Sequence, residues 1–272
     1  MATILNADTS TGGLIATGDS SGELELQADG TTKVAVTSSG VSLNGIAYPT
    51  TDGSANQVLQ TNGSGTLSFA AGGGGFQSMQ VFTSSGTWTR PSGITKIKVT
   101  VVGGGGGGSG WDSSNDNAMG GGGGGAAIEV IDVSAISSAS VTIGAGGAGS
   151  GNNADGSAGG TTSFGSYLQA TGGGGGSRAN GTPNAALGGV GSGGDINITG
   201  QKGSGGMDNT SSQSMGGMGG NTLLGFGGAF MFYGNAARDG TGYGGGGGGM
   251  VTSGTAAGGD GAPGIVIVEE YQ

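Results

Sequence analysis

The sequence predicts an all-β protein whose glycine-rich part is built from packed polyglycine II helices. Six consecutive glycines occur three times, at residues 103–108, 120–125 and 244–249, and five occur at residues 172–176. Short segments rich in β-branched residues separate the runs, and no segment has the apolar spacing of an amphipathic helix. Collagen is excluded because the chain has only four prolines and no Gly-X-Y period.

The glycine runs must recover a large entropy cost if they are ordered. Glycine loses more conformational freedom on folding than any other residue, and ordering six residues costs roughly 6–12 kcal/mol. A run therefore either stays a flexible loop or packs against other runs. Packing is favoured because apolar segments lie between the runs, which Gly/Ser linkers lack. A polyglycine II helix has three residues per turn, and its outward amides can bond to neighbouring helices at close approach.

The remaining strands divide the chain into three predicted regions. In residues 1–47, alternating apolar and polar residues predict strands at 23–27 and 33–37, with too little apolar mass to form a core without copies of the chain. In residues 48–75, strands at 57–61 and 66–70 form a hairpin, and glycines 72–75 form a hinge. In residues 76–272, the predicted strands are 80–82, 87–89, 96–102, 126–133, 141–143, 196–198 and 265–268.

Composition narrows the classes of function. Histidine and cysteine are absent, which removes the Ser-His-Asp triad, the Cys-His pair and the common zinc sites. The formal net charge is −10, and beyond residue 98 the basic residues are Arg178, Lys202 and Arg238, so a nucleic-acid surface is not expected. No stretch has the length of a membrane span or a signal peptide. We expect no enzyme, cofactor or metal site, while a metal ion held by a loop is left open.

Four segments resemble parts of tailed-bacteriophage tail fibres. Residues 26–34 are similar to the β-rich repeats of fibre shafts, and residues 49–53 with 56–63 are similar to a segment that recurs in such fibres. Residues 82–89 followed by 99–108 resemble the opening of the glycine-rich domain near fibre C-termini, and residues 261–269 resemble its closing strand. Their order along the chain is more specific than any one segment.

The resemblance implies a homotrimeric virion fibre that binds a host receptor. Residues 1–47 would be a trimeric β shaft or virion-attachment region, 48–75 a hairpin and hinge linker, and 76–272 the receptor-binding domain. The implied partners are two further copies of the chain, other tail or baseplate proteins, and a bacterial surface protein or polysaccharide, with no nucleic acid and no membrane insertion. Such a protein is assembled in the host cytoplasm and acts from the virion at the cell surface.

Segments between the glycine runs are the candidate binding loops, because loops on a rigid scaffold commonly carry recognition. These segments are residues 110–119, 150–157, 177–187, 201–218, 230–243 and 250–257. Aromatic, arginine and methionine side chains are favoured as binding anchors. The candidates are Trp111, Asn115, Arg178, Asn180, Met215, Phe230, Phe232, Tyr233, Arg238 and Tyr243.

Two sets of alternatives stay open on the sequence. Phe230 and Phe232 fit a core position as well as a binding position, whereas Trp88, Phe164, Tyr167 and Phe226 are expected in the core. For function, the alternative to receptor binding is a purely structural head or decoration fibre. An ice-binding protein is a further possibility, because a bundle of glycine helices can present ordered water.

Overall fold

The computed structural model describes residues 23–55, 57–72, 74–111, 117–151, 154–179, 186–207, 214–229, 231–232, 235–251 and 257–272. The protein is all-β, as predicted, and these residues contain no helix that could cross a membrane. The chain divides into two compact units, Met1–Gly75 and Phe76–Gln272.

The first unit contains a four-stranded antiparallel sheet and a separate hairpin. The sheet joins β1 (Leu24–Ala28), β2 (Thr31–Thr37), β3 (Gly40–Leu43) and β4 (Ile46–Ala47) in chain order. The hairpin pairs β5 (Gln57–Thr61) with β6 (Leu67–Ala71). Asp29 and Gly30 join β1 to β2 with φ of 53° and 70°, and positive φ at both central residues is typical of a type I′ hairpin turn.

Apolar side chains of the first unit remain largely uncovered. Leu24 and Val58 are about half exposed, at 53% and 48%. No described side chain between residues 23 and 70 is fully buried. This agrees with the expectation that this region has too little apolar mass to form a core, but the trimer inferred from it stays a prediction.

The second unit contains a β-sandwich of two five-stranded sheets. Its strands are β7 (Phe76–Phe82), β8 (Gly86–Thr89), β9 (Lys96–Val102), β10 (Gly110–Trp111), β11 (Asn117–Ala118), β12 (Ala126–Asp132), β13 (Ser138–Thr142), β14 (Thr162–Phe164), β15 (Leu168–Ala170), β16 (Arg178–Ala179), β17 (Gly191–Ser192), β18 (Ile196–Ile198), β19 (Leu224–Phe226), β20 (Thr241–Tyr243), β21 (Met250–Val251) and β22 (Ile265–Tyr271). The first sheet has the order β18-β12-β9-β22-β7 and the second has the order β17-β15-β14-β13-β8. Four further short strands, β10 with β21 and β11 with β16, lie outside the sandwich, as does the β19–β20 ladder.

Alternating residues of the two sheets form the sandwich core. Ile97, Val99 and Val101 of β9 point inward and are fully buried, as period-two alternation requires. Trp88 and Phe164 pack against each other at a ring separation of 5.8 Å, which confirms both as core residues.

The other two aromatic predictions for the core are wrong. Tyr167 is 38% exposed because it lies in the turn between β14 and β15, with its ring centre 6.2 Å from that of Phe164. Phe226 is 73% exposed because it lies in the β19–β20 ladder, outside the sandwich.

One buried carboxylate belongs to the sandwich. Glu270 is 1% exposed and accepts hydrogen bonds from the Ser78 hydroxyl, from Gln80 Nε2 at 2.7 Å and from Trp88 Nε1 at 2.8 Å. Three donors compensate its lost hydration, so this carboxylate fixes the closing strand β22 against β7 and β8.

Candidate binding surface

The three six-glycine runs pack together as the centre of a bundle of polyglycine II helices. Gly103 and Gly106 donate to the carbonyls of Gly125 and Gly122, each at 2.9 Å. Run 120–125 donates to run 244–249 through Gly121 to Gly247 at 2.8 Å, and Gly247 donates to the Gly106 carbonyl at 2.8 Å. Every pair of the three runs is therefore hydrogen bonded, and the predicted packing of glycine helices is confirmed.

The bonding of run 103–108 shows the three-residue turn of polyglycine II. Successive amides of the run donate hydrogen bonds to three different neighbouring segments in turn, so residues three apart donate to the same segment. Its carbonyls accept from three other segments in the same way. The six neighbours are segments 119–125, 157–160 and 259–262, which accept, and 147–150, 173–176 and 247–250, which donate.

The central positions have no space for a side chain. A Cβ added at Gly106 would stand 2.6 Å from the carbonyl carbon of Gly174 and nearer still to its oxygen. A Cβ at Gly105 would overlap the carbonyl group of Gly245, which is equally immovable backbone. Only glycine allows the helices to approach closely enough for their amides and carbonyls to bond.

A ring of shorter glycine-containing segments surrounds the three central helices. Neighbouring members of the ring contact each other through backbone bonds, such as Ser157 to Ala148 at 2.9 Å and Gly240 to Asp260 at 2.8 Å. Among the described residues, the ring consists of segments 144–150, 155–160, 171–177, 186–190, 200–204, 216–221, 226–229, 238–240 and 257–263. We call the three central helices and this ring the glycine lattice.

Several ring segments carry a side chain at every third residue, on the outer face. Met215, Met218 and Asn221 follow this spacing, and the glycine pairs between them are buried. Ala257, Asp260 and Pro263 repeat the pattern, with all three exposed. A helix with three residues per turn turns every third residue to the same side, so such a segment can face solvent on one side only.

The lattice has two distinct ends. Gly103 bonds to Gly125 where β9 ends and β12 begins, so this end adjoins the sandwich. Ser109 bonds to Met119 at the other end, which we call the distal end. Ser150, Gly176 and Met250 donate to Gly108, Gly107 and Ser109, which places the ends of three further segments there as well.

All six predicted loop segments reach the distal end, but segment 201–218 begins within the lattice and segment 230–243 ends in β20 at the sandwich end. Short pairings tie their bases together: Gly110 pairs with Met250 and bridges Ala154, and Ala118 pairs with Arg178. Met207 bridges Met215, which in turn bridges Phe232. The loop bases thus form one connected backbone platform.

The candidate side chains occupy different places. Asn115, Asn180, Phe230 and Tyr233 lie outside the described residues, as does the side chain of Trp111. At the distal end, Phe232 is 58% exposed and Met215 is half-buried beside Met207, which is 63% exposed. Arg178 is exposed there, and its backbone amide donates to Asp155 Oδ1 at 2.9 Å.

Tyr243 and Arg238 lie away from the distal end. Tyr243 is half-buried at the sandwich end, against Val102, Ala126 and Ile265. Arg238 lines an open groove of about 450 Å³ on the side of the lattice, with Gly227, Gly228, Ala229, Ala237, Asp239 and Thr241. The groove lies beside exposed Phe226, which sequence reasoning missed as a surface residue. The signal was available, since Phe226, Ala229 and Phe232 are spaced by three around a glycine pair.

The described residues offer no group of three acidic, histidine or cysteine side chains that could hold a metal ion. A family model described as a glycine-rich domain matches residues 80–271. No curated protein matches the chain.

Proposed function

We propose that this chain, which belongs to the glycine-rich domain family, is a bacteriophage virion fibre protein that binds a bacterial surface component through its distal loops, as the resemblance of its sequence segments to tail fibres implies. The observation that carries the proposal is the convergence of the loop bases on one end of the lattice. The lattice interior tolerates almost no side chain, so sequence variation is confined to its outer face and to the loops. A rigid scaffold with variable loops at one end is an arrangement suited to recognition.

The proposed fibre is a homotrimer held together in part by residues 1–75. The apolar strand residues of that unit are about half exposed, and covering them with two copies would remove them from water. The proposal includes no catalysis: the acidic, histidine-free and cysteine-free chain would act by binding alone.

Cell-binding measurements test this function. The purified, fluorescently labelled full-length chain would be incubated with a panel of intact Gram-negative and Gram-positive cells. In the variants, loop residues 112–116, 180–185, 208–213 or 252–256 would be replaced by Gly/Ser segments of equal length. We expect saturable binding of the natural chain to at least one strain, and loss of binding in loop variants whose melting temperature is unchanged.

A matched control is the Ser138→Ala, Ser140→Ala variant, which changes exposed residues of β13 far from the loops. Loop variants that bind cells as well as the natural chain would contradict the proposal. In that case, we would instead infer a structural head or decoration fibre, because the lattice and the exposed apolar strands of residues 1–75 suit a structural fibre that binds no receptor. Particle stability with and without the protein would then be the relevant measurement.

A further inference from the structure

Three of the described ring segments occupy equivalent positions in the glycine lattice, because each is hydrogen bonded to two of the three central helices. They are segments 171–176, 216–221 and 258–263. In each segment every third residue points outward: Gly172 and Gly175 in the first, Met218 and Asn221 in the second, and Asp260 and Pro263 in the third. The second and third segments are therefore internal references for the first.

Side chains protect the outward backbone of the two reference segments. The Met218 amide donates to Ser204 Oγ at 2.7 Å, and the Asp260 amide donates to Asp239 Oδ1 at 2.8 Å. Pro263 has no amide hydrogen to donate. A side-chain oxygen thus takes the place that a further glycine helix would occupy, and the lattice ends there.

The outward backbone of segment 171–176 has no such protection. Neither the amides nor the carbonyls of Gly172 and Gly175 have a hydrogen-bond partner within the described part of the chain, whereas the two residues between them bond to four neighbouring segments. Both glycines are half-buried, and backbone groups removed from water are nearly always paired. We call Gly172 and Gly175 the bare edge. A partner must offer it a backbone group at every third residue, about 9 Å apart, as a polyglycine II helix does.

A second edge of the lattice offers matching donors. In segment 144–150, the amides of Ala145 and Ala148 also have no partner among the described residues, and both alanines are exposed. Their methyl groups are compatible with close packing, since Ala262 lies inside the lattice at 5% exposure and donates to Gly245 at 2.8 Å. We call Ala145 and Ala148 the alanine edge.

The two edges lie at the same height along the lattice. Gly147 donates to Gly105, and Gly173 donates to the preceding residue of that run, Gly104. Counting back along each segment places the first residue of both edges level with Gly103. Copies related by an axis parallel to the glycine helices keep this match, so both amides of one edge meet both carbonyls of the other.

We propose that the bare edge of each copy binds the alanine edge of the next copy within the homotrimer. Segment 155–160 is hydrogen bonded to both 144–150 and 173–176, so it separates the two edges. Three copies around an axis beside that segment each offer one edge and receive the other, and such a head-to-tail contact closes into a ring. The inference rests on the homotrimer of the proposed function and does not depend on receptor binding.

Hydrogen exchange of alanine amides tests this contact on the full-length chain with isotope-labelled alanine. Ala262 is the protected reference, and Ala229, which is exposed and has no described partner for its amide, is the unprotected reference on another side of the lattice. We expect Ala145 and Ala148 to exchange at least about tenfold more slowly than Ala229, after correction for intrinsic rates. Exchange as fast as that of Ala229 in a trimer would overturn this interface and leave the homotrimer standing. A monomeric mass by light scattering would overturn both.

Cross-linking identifies the two edges as partners. The chain has no cysteine, so Ala148→Cys places a single thiol on the alanine edge, and Arg178→Cys places one a single turn, about 9 Å, beyond the bare edge. The two variants, with different tags, would be co-expressed and treated with a bifunctional maleimide that spans roughly one such turn. We expect covalent dimers that carry both tags. Met218→Cys in place of Arg178→Cys is the matched control on another side of the lattice, and a yield no higher than that of this control would overturn the proposal.

Discussion

Replacing one central glycine by alanine should destabilise the glycine-rich unit severely. In Gly106→Ala, the new Cβ would stand 2.6 Å from the Gly174 carbonyl carbon, against the roughly 3.6 Å of an ordinary carbon–carbon contact. Segment 172–176 would have to move by about 1 Å as a unit, because the obstacle is backbone and cannot rotate away. A shift of that size breaks hydrogen bonds that now measure 2.8–2.9 Å.

The loss in the free energy of unfolding depends on the hydrogen bonds that Gly106→Ala would break. Gly173 donates to Gly104 at 2.9 Å and Gly176 donates to Gly107 at 2.8 Å, and both bonds join the two segments that must separate. Leaving buried backbone groups unpaired costs about 1–3 kcal/mol for each bond, and alanine recovers about 0.5–1 kcal/mol by restricting the unfolded chain. The expected net loss is about 1–5 kcal/mol, or about 2–20 °C in melting temperature for a unit of this size.

Calorimetry on the full-length chain, with a neighbouring glycine as control, tests this estimate. A Cβ at Gly174 would meet its nearest atom, a backbone atom of Leu187, at 3.3 Å, so Gly174→Ala requires only a small adjustment. Gly86→Ala is a second control, with its nearest atom 4.0 Å away. If Gly106→Ala melts within about 2 °C of Gly174→Ala, the close-packing argument is refuted, since that shift is below the ~2–4 °C expected per kcal/mol.

Three further changes have expected outcomes. Glu270→Ala removes a buried carboxylate that accepts three hydrogen bonds and should lower the melting temperature by about 5–15 °C, whereas Glu269→Ala should lower it by less than about 3 °C, as for a surface ion pair. Phe164→Ala should cost about 3–5 kcal/mol in the free energy of unfolding, while exposed Phe226→Ala should be nearly neutral, by denaturant titration. The hydrogen bond to Glu269 raises the pKa of Lys98, so its contribution is present below lysine's ordinary pKa of about 10.4 and is lost as the pH rises through the higher folded value. Because this pair is partly exposed, the loss is small, and Lys98→Met should flatten the decline in melting temperature over that alkaline interval relative to the natural chain.

The glycine runs predict their own conformation but not their neighbours. A run of six glycines that is buried among other backbones has essentially one regular solution, which is why polyglycine II could be predicted from residues 103–108 alone. Its six neighbours could not be predicted, because glycine offers no side chain that distinguishes one partner from another. Which segments become neighbours in the lattice depends on the positions at which the chain leaves and re-enters the strands of the sandwich.

The aromatic residues show the same division between local and global information. Trp88 and Phe164 were assigned to the core on the same ground as Phe226, the scarcity of large side chains, and they are buried because they lie on the inward side of β8 and β14 in the sandwich. Phe226 was assigned to the core because aromatic residues are scarce, yet the lattice beside it has no cavity for a ring. Spacing by three around glycine pairs would have placed it on the outside, as it does Met215 and Met218.

The lengths of the glycine runs follow from how many helices surround each one. The three runs of six are the three helices that are enclosed on all sides, and none of their residues faces solvent. Ring segments face solvent on one side, and all but the run 172–176 carry side chains there that interrupt their glycines. Six residues at about 3.1 Å each span roughly 19 Å, and this length separates the sandwich from the distal loops. Because each loop begins and ends on segments fixed by backbone bonds, its sequence can change without altering the lattice below, as the proposed role in receptor binding requires.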